Sequence, residues 1–327
     1  MKLSFQQIKS ATLGAMKVHQ EDGLVCFERF TDEQRALYKA TAEGFYLKAL
    51  AAAGIKLCFR TDSSRLRMTV HISDPTSRDY FSANVYADGA LIGQLDNFEE
   101  RQLGVFSKEF SLPQGEKTVT VYLPWSMRAR LEALELDDGA SFAPVKPGKK
   151  LLMYGDSITQ GYDAVDQSKR YGAVLADFLD AEEHNLGIGG EKFFPLLAQT
   201  EIPFKPDFVT VAYGTNDWSS RTEEEFTPSC RAFLQTVLRN NPQAEIFVIT
   251  PIWRKDYQEE KNGWLFHNVE QTIRSVCREY PRVKVLRGFD FVPKNEAYYY
   301  DQRLHPNDEG FAHYAENLCR AIADARK

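Results

Sequence analysis

Cysteine is sparse in this 327-residue chain and never clustered: Cys26, Cys58, Cys230, Cys277 and Cys319 are odd in number and form no C-x-x-C. A disulfide framework and a cysteine metal site are both disfavoured, and reduced, mostly buried thiols are expected. None of the six histidines has another four residues away, and H-E-x-x-H is absent, which argues against a zinc hydrolase. There is no Gly-Lys-Ser/Thr phosphate loop, no G-x-G-x-x-G after a strand and no G-x-S-x-G elbow. No stretch approaches the roughly 20 apolar residues of a membrane span. The N-terminal Met1–Gln7 segment lacks the apolar run of a secretory signal, so a cytoplasmic protein is expected.

Excess positive charge is missing too. Forty basic against forty-six acidic side chains give −6. Residues 1–150 carry 20 basic and 19 acidic groups, leaving 20 and 27 for the rest, so the halves stand at +1 and −7. Neither half has the basic balance that binding a phosphate backbone favours, and no nucleic-acid partner is expected. What is present is ordinary globular material, 43% apolar and 26% charged. The length exceeds what one core usually holds and predicts two domains.

Two textures follow one another. Between about Ile55 and Leu136 short runs alternate and are broken by turns: Lys56–Arg60, Leu66–Ile72, Asn84–Ala87, Val105–Phe110 and Thr118–Leu123. Asp88-Gly89 is a hairpin signal, because both residues tolerate the positive φ of a type I′ turn. The pattern predicts an all-β sandwich of jelly-roll type over 1–146. The first fifty residues are less definite, with Asp32–Leu50 either helical or a long excursion. Phe142–Lys150, with two prolines and a glycine, reads as a linker.

Over 147–327 strands alternate with helices. Strands are expected at Lys150–Tyr154, His184–Leu186, Phe208–Tyr213, Glu245–Thr250 and Val283–Leu286. Helices are expected at Tyr171–Leu179, Glu223–Arg239, Gly263–Tyr280 and Asn307–Ala325. This alternation predicts a three-layer α/β domain with a parallel sheet, whose ligand site lies beyond the strand carboxyl ends.

The polar residues gather at those ends. Gly155-Asp156-Ser157 follows the first strand, and a serine between a strand end and a helix start can be an exposed nucleophile. Gly187-Ile188-Gly189-Gly190 follows the second, where glycine lets backbone approach a ligand closely. Gly214-Thr215-Asn216-Asp217 follows the third and brings an amide to the same rim. Asp301-Gln302-Arg303-Leu304-His305 precedes the last helix and supplies an imidazole. Each piece has a plainer reading as a turn, a cap or a helix start; together they are the parts for acyl transfer.

Four such blocks in this order, over Lys149–Lys327, resemble the SGNH (GDSL-type) hydrolases. The two-part chain also looks like carbohydrate esterases and acyltransferases of that superfamily, and a flavodoxin-like SGNH domain after a β-sandwich is implied. The resemblance assigns the nucleophile to Ser157, the base to His305, and the oxyanion hole to the backbone of Ser157 and Gly190 with the Asn216 side chain. It departs at one place. The family's aspartate stands three residues before the histidine, where this chain has Gln302, and Asp301 is one residue further back. Either the loop absorbs the extra residue and Asp301 orients His305, or a backbone carbonyl does.

Tyr162, Asp163, Trp218, Trp253 and Arg254 lie along the same rim. Trp218, Trp253, Arg254 and Tyr162 are the candidate substrate contacts, aromatic faces for a sugar ring and a guanidinium for a hydroxyl or carboxylate. Packing of these aromatics within the protein is the competing expectation. The function expected is a serine esterase that releases short acyl groups, acetyl foremost, from a carbohydrate or related metabolite, with no metal or organic cofactor. An acyltransferase with the same site, or a carbohydrate-binding protein with an inactive hydrolase domain, are the alternatives. The partner is a small-molecule or oligosaccharide acyl ester, with no membrane, and a homo-oligomer is compatible with the chain.

Overall fold

In Arg65–Ser73 every second side chain is apolar, and Leu66, Met68, Val70 and Ile72 are all buried while Arg65 and Arg67 face water. A period of two on a pleated strand sends alternate side chains to opposite faces, so such a strand needs a second apolar layer beneath it. The computed structural model, which describes all 327 residues, supplies that layer. One antiparallel sheet runs in the order Lys17–Glu21, Leu24–Glu28, Arg128–Glu135, Arg65–Ser73, Gly104–Ser111. The other runs Thr12–Leu13, Lys56–Thr61, Lys117–Tyr122, Ser82–Ala87, Ala90–Asp96. Phe59, Phe81, Val85, Val119 and Leu131 fill a single core with the Arg65–Ser73 residues. Asp88 and Gly89 take φ of 46° and 79°, the left-handed pair a tight hairpin requires.

Asp32–Leu50 resolves into two helices, Asp32–Thr41 and Glu43–Leu50. The expected linker is partly structured, because Ala143–Pro144 pairs with the edge of Lys56–Thr61, a place where proline's missing N–H does no harm. The first unit comprises Met1–Gly148 with two short pieces of later chain, Val165–Ser168 and Glu182–His184. Those pieces are pinned by side chains of the Ser82–Ala87 strand: Tyr86 donates to Asp166 at 2.6 Å, and the Gln167 N–H donates to Asn84 at 2.9 Å.

The second unit holds a five-stranded sheet in the order Ala181–Gly187, Lys149–Gly155, Phe208–Ala212, Glu245–Ile249, Val283–Leu286. From Lys149–Gly155 onward each neighbouring pair is parallel. The chain starts in the second position and reverses direction across the sheet there, which opens a crevice at the carboxyl ends of the first strands. Helices Tyr171–Phe178, Glu223–Asn240, Phe266–Cys277 and Asp308–Ala325 accompany the sheet. The third begins later than its periodicity suggests, because Glu260–Lys261 and Trp264–Leu265 pair as a small hairpin before it. All five cysteines are free thiols, four of them buried. No helix is long and apolar enough to cross a membrane.

Candidate active site

Ser157 opens the four-residue helix Ser157–Gln160 directly after the first strand. Asp156 caps that helix, its carboxylate accepting from the Ile158 N–H at 3.0 Å. The Ala181–Gly187 strand closes on the helix from one side: Asn185 donates to the Thr159 carbonyl at 2.7 Å, and the Gly189 N–H donates to Gln160 at 2.9 Å. A β-carbon at Gly187 would stand 2.4 Å from the Gln160 nitrogen, so only glycine allows this approach. Gly190 follows at φ 84°, in the left-handed region that favours glycine.

His305 arrives from the loop before Asp308–Ala325. Its Nε2 lies 2.9 Å from Ser157 Oγ, and its Nδ1 lies 2.8 Å from Asp301 Oδ2. The extra residue of the loop is taken up by Gln302, which adopts a left-handed φ of 55°. Asp301 secures the loop with its other oxygen, which accepts from the N–H groups of Arg303, Leu304 and His305 at 3.0, 2.7 and 3.1 Å. Burial opposes the charge on Asp301, but the His305 side chain and these backbone donors more than offset it. Its carboxyl is held well below the usual carboxylate range. A second carboxylate, Asp163, comes within 3.6 Å of His305 Nδ1.

Asn216 sits in the helix Thr215–Ser220 beyond the third strand, and its amide nitrogen donates to the Glu191 carbonyl at 3.0 Å. That bond uses one amide hydrogen and fixes the direction of the other. Ser157, Gly190 and Asn216 thus follow the ends of three neighbouring strands of one sheet. A nucleophile, a base with an acid behind it and three N–H donors are the components of acyl transfer through a tetrahedral intermediate.

All four candidate substrate contacts are packed within the protein. None of Tyr162, Trp218, Trp253 and Arg254 is more than 7% exposed. Tyr162 stacks on the His305 ring, with centroids 5.4 Å apart. Trp218 donates its indole N–H to the Trp264 carbonyl at 3.2 Å. Trp253 packs on Tyr299. The Arg254 guanidinium lies over Trp218 and donates to Thr215 Oγ1 and Ser219 Oγ at 3.0 and 3.1 Å. Its remaining donors meet Asp256, so it holds the helix that carries Asn216 and offers nothing to a ligand. Substrate roles for Trp218 and Arg254 are corrected accordingly.

Asp256 is the residue that sequence reasoning missed. Its carboxylate accepts from Arg254, Lys261 and Arg303, the last of these in the His305 loop. Burial disfavours its charge, but three cations reverse that and keep the carboxyl far below its ordinary range. Asp256→Ala leaves Arg254 buried without a counter-charge, which costs about 3–5 kcal/mol. A urea midpoint unchanged from wild type would contradict this.

Asp156 behaves in the opposite sense. Burial pushes its carboxyl up to about 7, with the Ile158 N–H and the charge of His305 acting against that rise. A raised pKa means the folded chain holds the proton more tightly than the unfolded one. The stabilisation is full below about pH 4 and is lost as pH rises through about 7. Asp156→Asn keeps the bond from Ile158 and removes the titration. The variant therefore gains on wild type between pH 4 and 7, then runs parallel to it. Urea midpoints at both ends of this window check this, and an equal difference at each end would refute it.

Residues 153–313 match the GDSL-like lipase/acylhydrolase family. The second half of this chain is a member of that family. A curated relative of this chain, an acetylxylan esterase/glucomannan deacetylase of Cellvibrio japonicus (strain Ueda107), is 29% identical over 240 residues. The alignment spans 61% of this chain and 61% of that protein, less than two thirds of the relative's length. Among solved structures, the salicylyl-acyltransferase SsfX3 from a tetracycline biosynthetic pathway superposes with a TM-score of 0.80 at 20% identity, covering 96% of this chain and 94% of its own. A family two carbohydrate esterase from Cellvibrio japonicus gives 0.68 at 18% identity, covering 99% and 97%. At such identities the superpositions establish a shared fold, an α/β domain with a parallel sheet and a β-sandwich.

Proposed function

We propose that this protein is a serine esterase that removes short acyl groups, acetyl foremost, from hydroxyls of a carbohydrate. The observation that carries the reading is the unbroken line from Ser157 Oγ through His305 to the Asp301 carboxylate. His305 takes the Ser157 proton as Oγ attacks the ester carbonyl. The N–H groups of Ser157 and Gly190 and the Asn216 amide receive the oxyanion. As the intermediate collapses, His305 returns the proton to the departing sugar hydroxyl. Water then enters, gives its proton to the same imidazole and releases the acid from Ser157. Asp301 keeps the proton of His305 on Nδ1, so that Nε2 faces the serine, and stabilises the imidazolium.

The acetylxylan esterase/glucomannan deacetylase similarity supports a carbohydrate ester as substrate. The SsfX3 superposition keeps transfer to an acceptor other than water as the second reading. Acetate release from acetylated xylo- or manno-oligosaccharides, followed with and without added alcohol acceptors, tests both. Release that Ser157→Ala abolishes supports the esterase; a transfer product in place of free acetate supports the acyltransferase. An intact chain inert toward every acetyl ester would overturn the proposal.

A further inference from the structure

We propose that Asp256 and Arg303 position the base, their ion pair holding the His305 loop in register with the helix that carries Asn216. This inference rests on the reading of His305 as the base and Asn216 as an oxyanion donor. Tyr299 and Pro306 pair at the ends of the loop, and inside it Asp301 accepts from the N–H groups of Arg303, Leu304 and His305. These residues therefore move as one piece, and contacts outside the loop place that piece. The segment after the Glu245–Ile249 strand supplies three of them. Trp253 packs on Tyr299 with ring centroids 5.1 Å apart, and the Lys255 N–H donates to the Arg303 carbonyl at 2.9 Å. The Arg303 guanidinium donates to Asp256 Oδ2 at 2.7 Å. The same segment also holds the Asn216 helix: Arg254 donates to Asp256 and, through Nη1, to the Thr215 carbonyl at 3.1 Å, one residue before Asn216. One carboxylate thus stands between the loop of the imidazole and the helix of the amide.

The energetics point to position rather than to stability. The Arg254 side chain, 3% exposed, needs Asp256 as its counter-charge, whereas that of Arg303 is 54% exposed and would be solvated without it. With Arg254 and Lys261 on the same carboxylate, the fold does not depend on a third cation. A half-exposed ion pair adds little to global stability. It does bias a local opening, in which a loop leaves its seat while the rest of the fold stays intact. Burial opposes the charge on Asp256, but its three cations outweigh burial and hold the carboxyl far below its ordinary range. The pair therefore stays charged wherever the imidazole is neutral. Placement matters steeply for the proton transfer. Oγ and Nε2 stand 2.9 Å apart, and a misplacement of about 1 Å costs on the order of 10²-fold in rate.

The test compares Arg303→Met, which keeps an unbranched apolar stem and removes the guanidinium, with Arg303→Lys, which restores a cation. Hydrogen exchange of the full chain, read by mass spectrometry, reports on the loop without any substrate. In Arg303→Met, exchange of a peptide spanning residues 299–307 rises about 3- to 10-fold while peptides elsewhere keep the wild-type rate. The melting temperature stays within about 2 °C of wild type, as expected for a half-exposed pair. On an acetate ester kcat falls about 3- to 10-fold with KM within about twofold, because the ester binds as before and the base is less precisely placed. Arg303→Lys falls between wild type and Arg303→Met in both readouts, since an ammonium on a flexible stem restores the charge but not the fixed fork. The proposal is overturned if the loop of Arg303→Met exchanges at the wild-type rate, or if exchange rises evenly over the whole chain. It is overturned equally if kcat holds, with or without a rise in KM, which would make Arg303 a substrate contact or a plain surface residue. Should the wild-type chain hydrolyse no ester, the esterase reading fails, while exchange still decides whether the ion pair holds the loop.

Discussion

Ser157→Ala lowers kcat on an acetate ester by a factor on the order of 10⁵–10⁶ while the chain stays folded, and His305→Ala does nearly the same. The reason lies in the 2.9 Å contact between Oγ and Nε2. A serine hydroxyl is a poor nucleophile until a base removes its proton, and the imidazole has nothing to activate once the hydroxyl is gone. The pair acts as one unit. Ser157→Ala/His305→Ala is therefore little worse than either single change, and the residual rate belongs to the oxyanion donors and to binding. Losses that multiply would show that the two residues act in separate steps. Circular dichroism of each variant keeps a folding defect from being read as a catalytic one.

Asn216→Ala has the next largest effect, a fall in kcat of about 10²–10³ with a smaller change in KM. The amide is aimed by its bond to the Glu191 carbonyl and by the helix Thr215–Ser220, which Arg254 holds in place. A donor fixed in this way strengthens its bond as charge develops on the carbonyl oxygen, so its loss is felt more in the transition state than in the bound ester. A rise in KM alone would make Asn216 a ground-state contact and leave the oxyanion to the backbone.

Much of this was legible in the sequence because the fold rules act locally. Period-two runs became the sandwich strands, and strand–helix alternation became the sheet that brings four polar blocks to one rim. Where local signals were overlooked they were present: Asp22-Gly23 adopts the same left-handed pair as Asp88-Gly89 and joins Lys17–Glu21 to Leu24–Glu28. Asn262-Gly263 likewise turns the small hairpin before the Phe266–Cys277 helix. Arg128–Glu135 was harder, since its Leu, Ala and Glu residues favour a helix, and its pairing on both sides within a sheet outweighs that preference.

The side chains of the rim were legible only in part. Position along the chain places Trp218 and Arg254 near the nucleophile but does not say which way they point. Their burial follows from Trp264, Asp256 and Ser219, which the fold assembles from separate segments. The one-residue offset of Asp301 could be resolved only by backbone geometry. A left-handed Gln302 absorbs the extra residue and carries the carboxylate back to Nδ1. The approach of Asp163 to the same nitrogen depends on two loops meeting, which no local pattern encodes.

The reading stands on Ser157 as the nucleophile, and covalent labelling of its hydroxyl is the most direct test. The intact chain is treated with a serine-reactive fluorophosphonate, and the adduct is located by peptide mass spectrometry. One adduct is expected, on the peptide containing Ser157, formed far more slowly in His305→Ala and absent in Ser157→Ala. Labelling at another serine, or hydrolysis of acetyl esters that survives in Ser157→Ala, would contradict it.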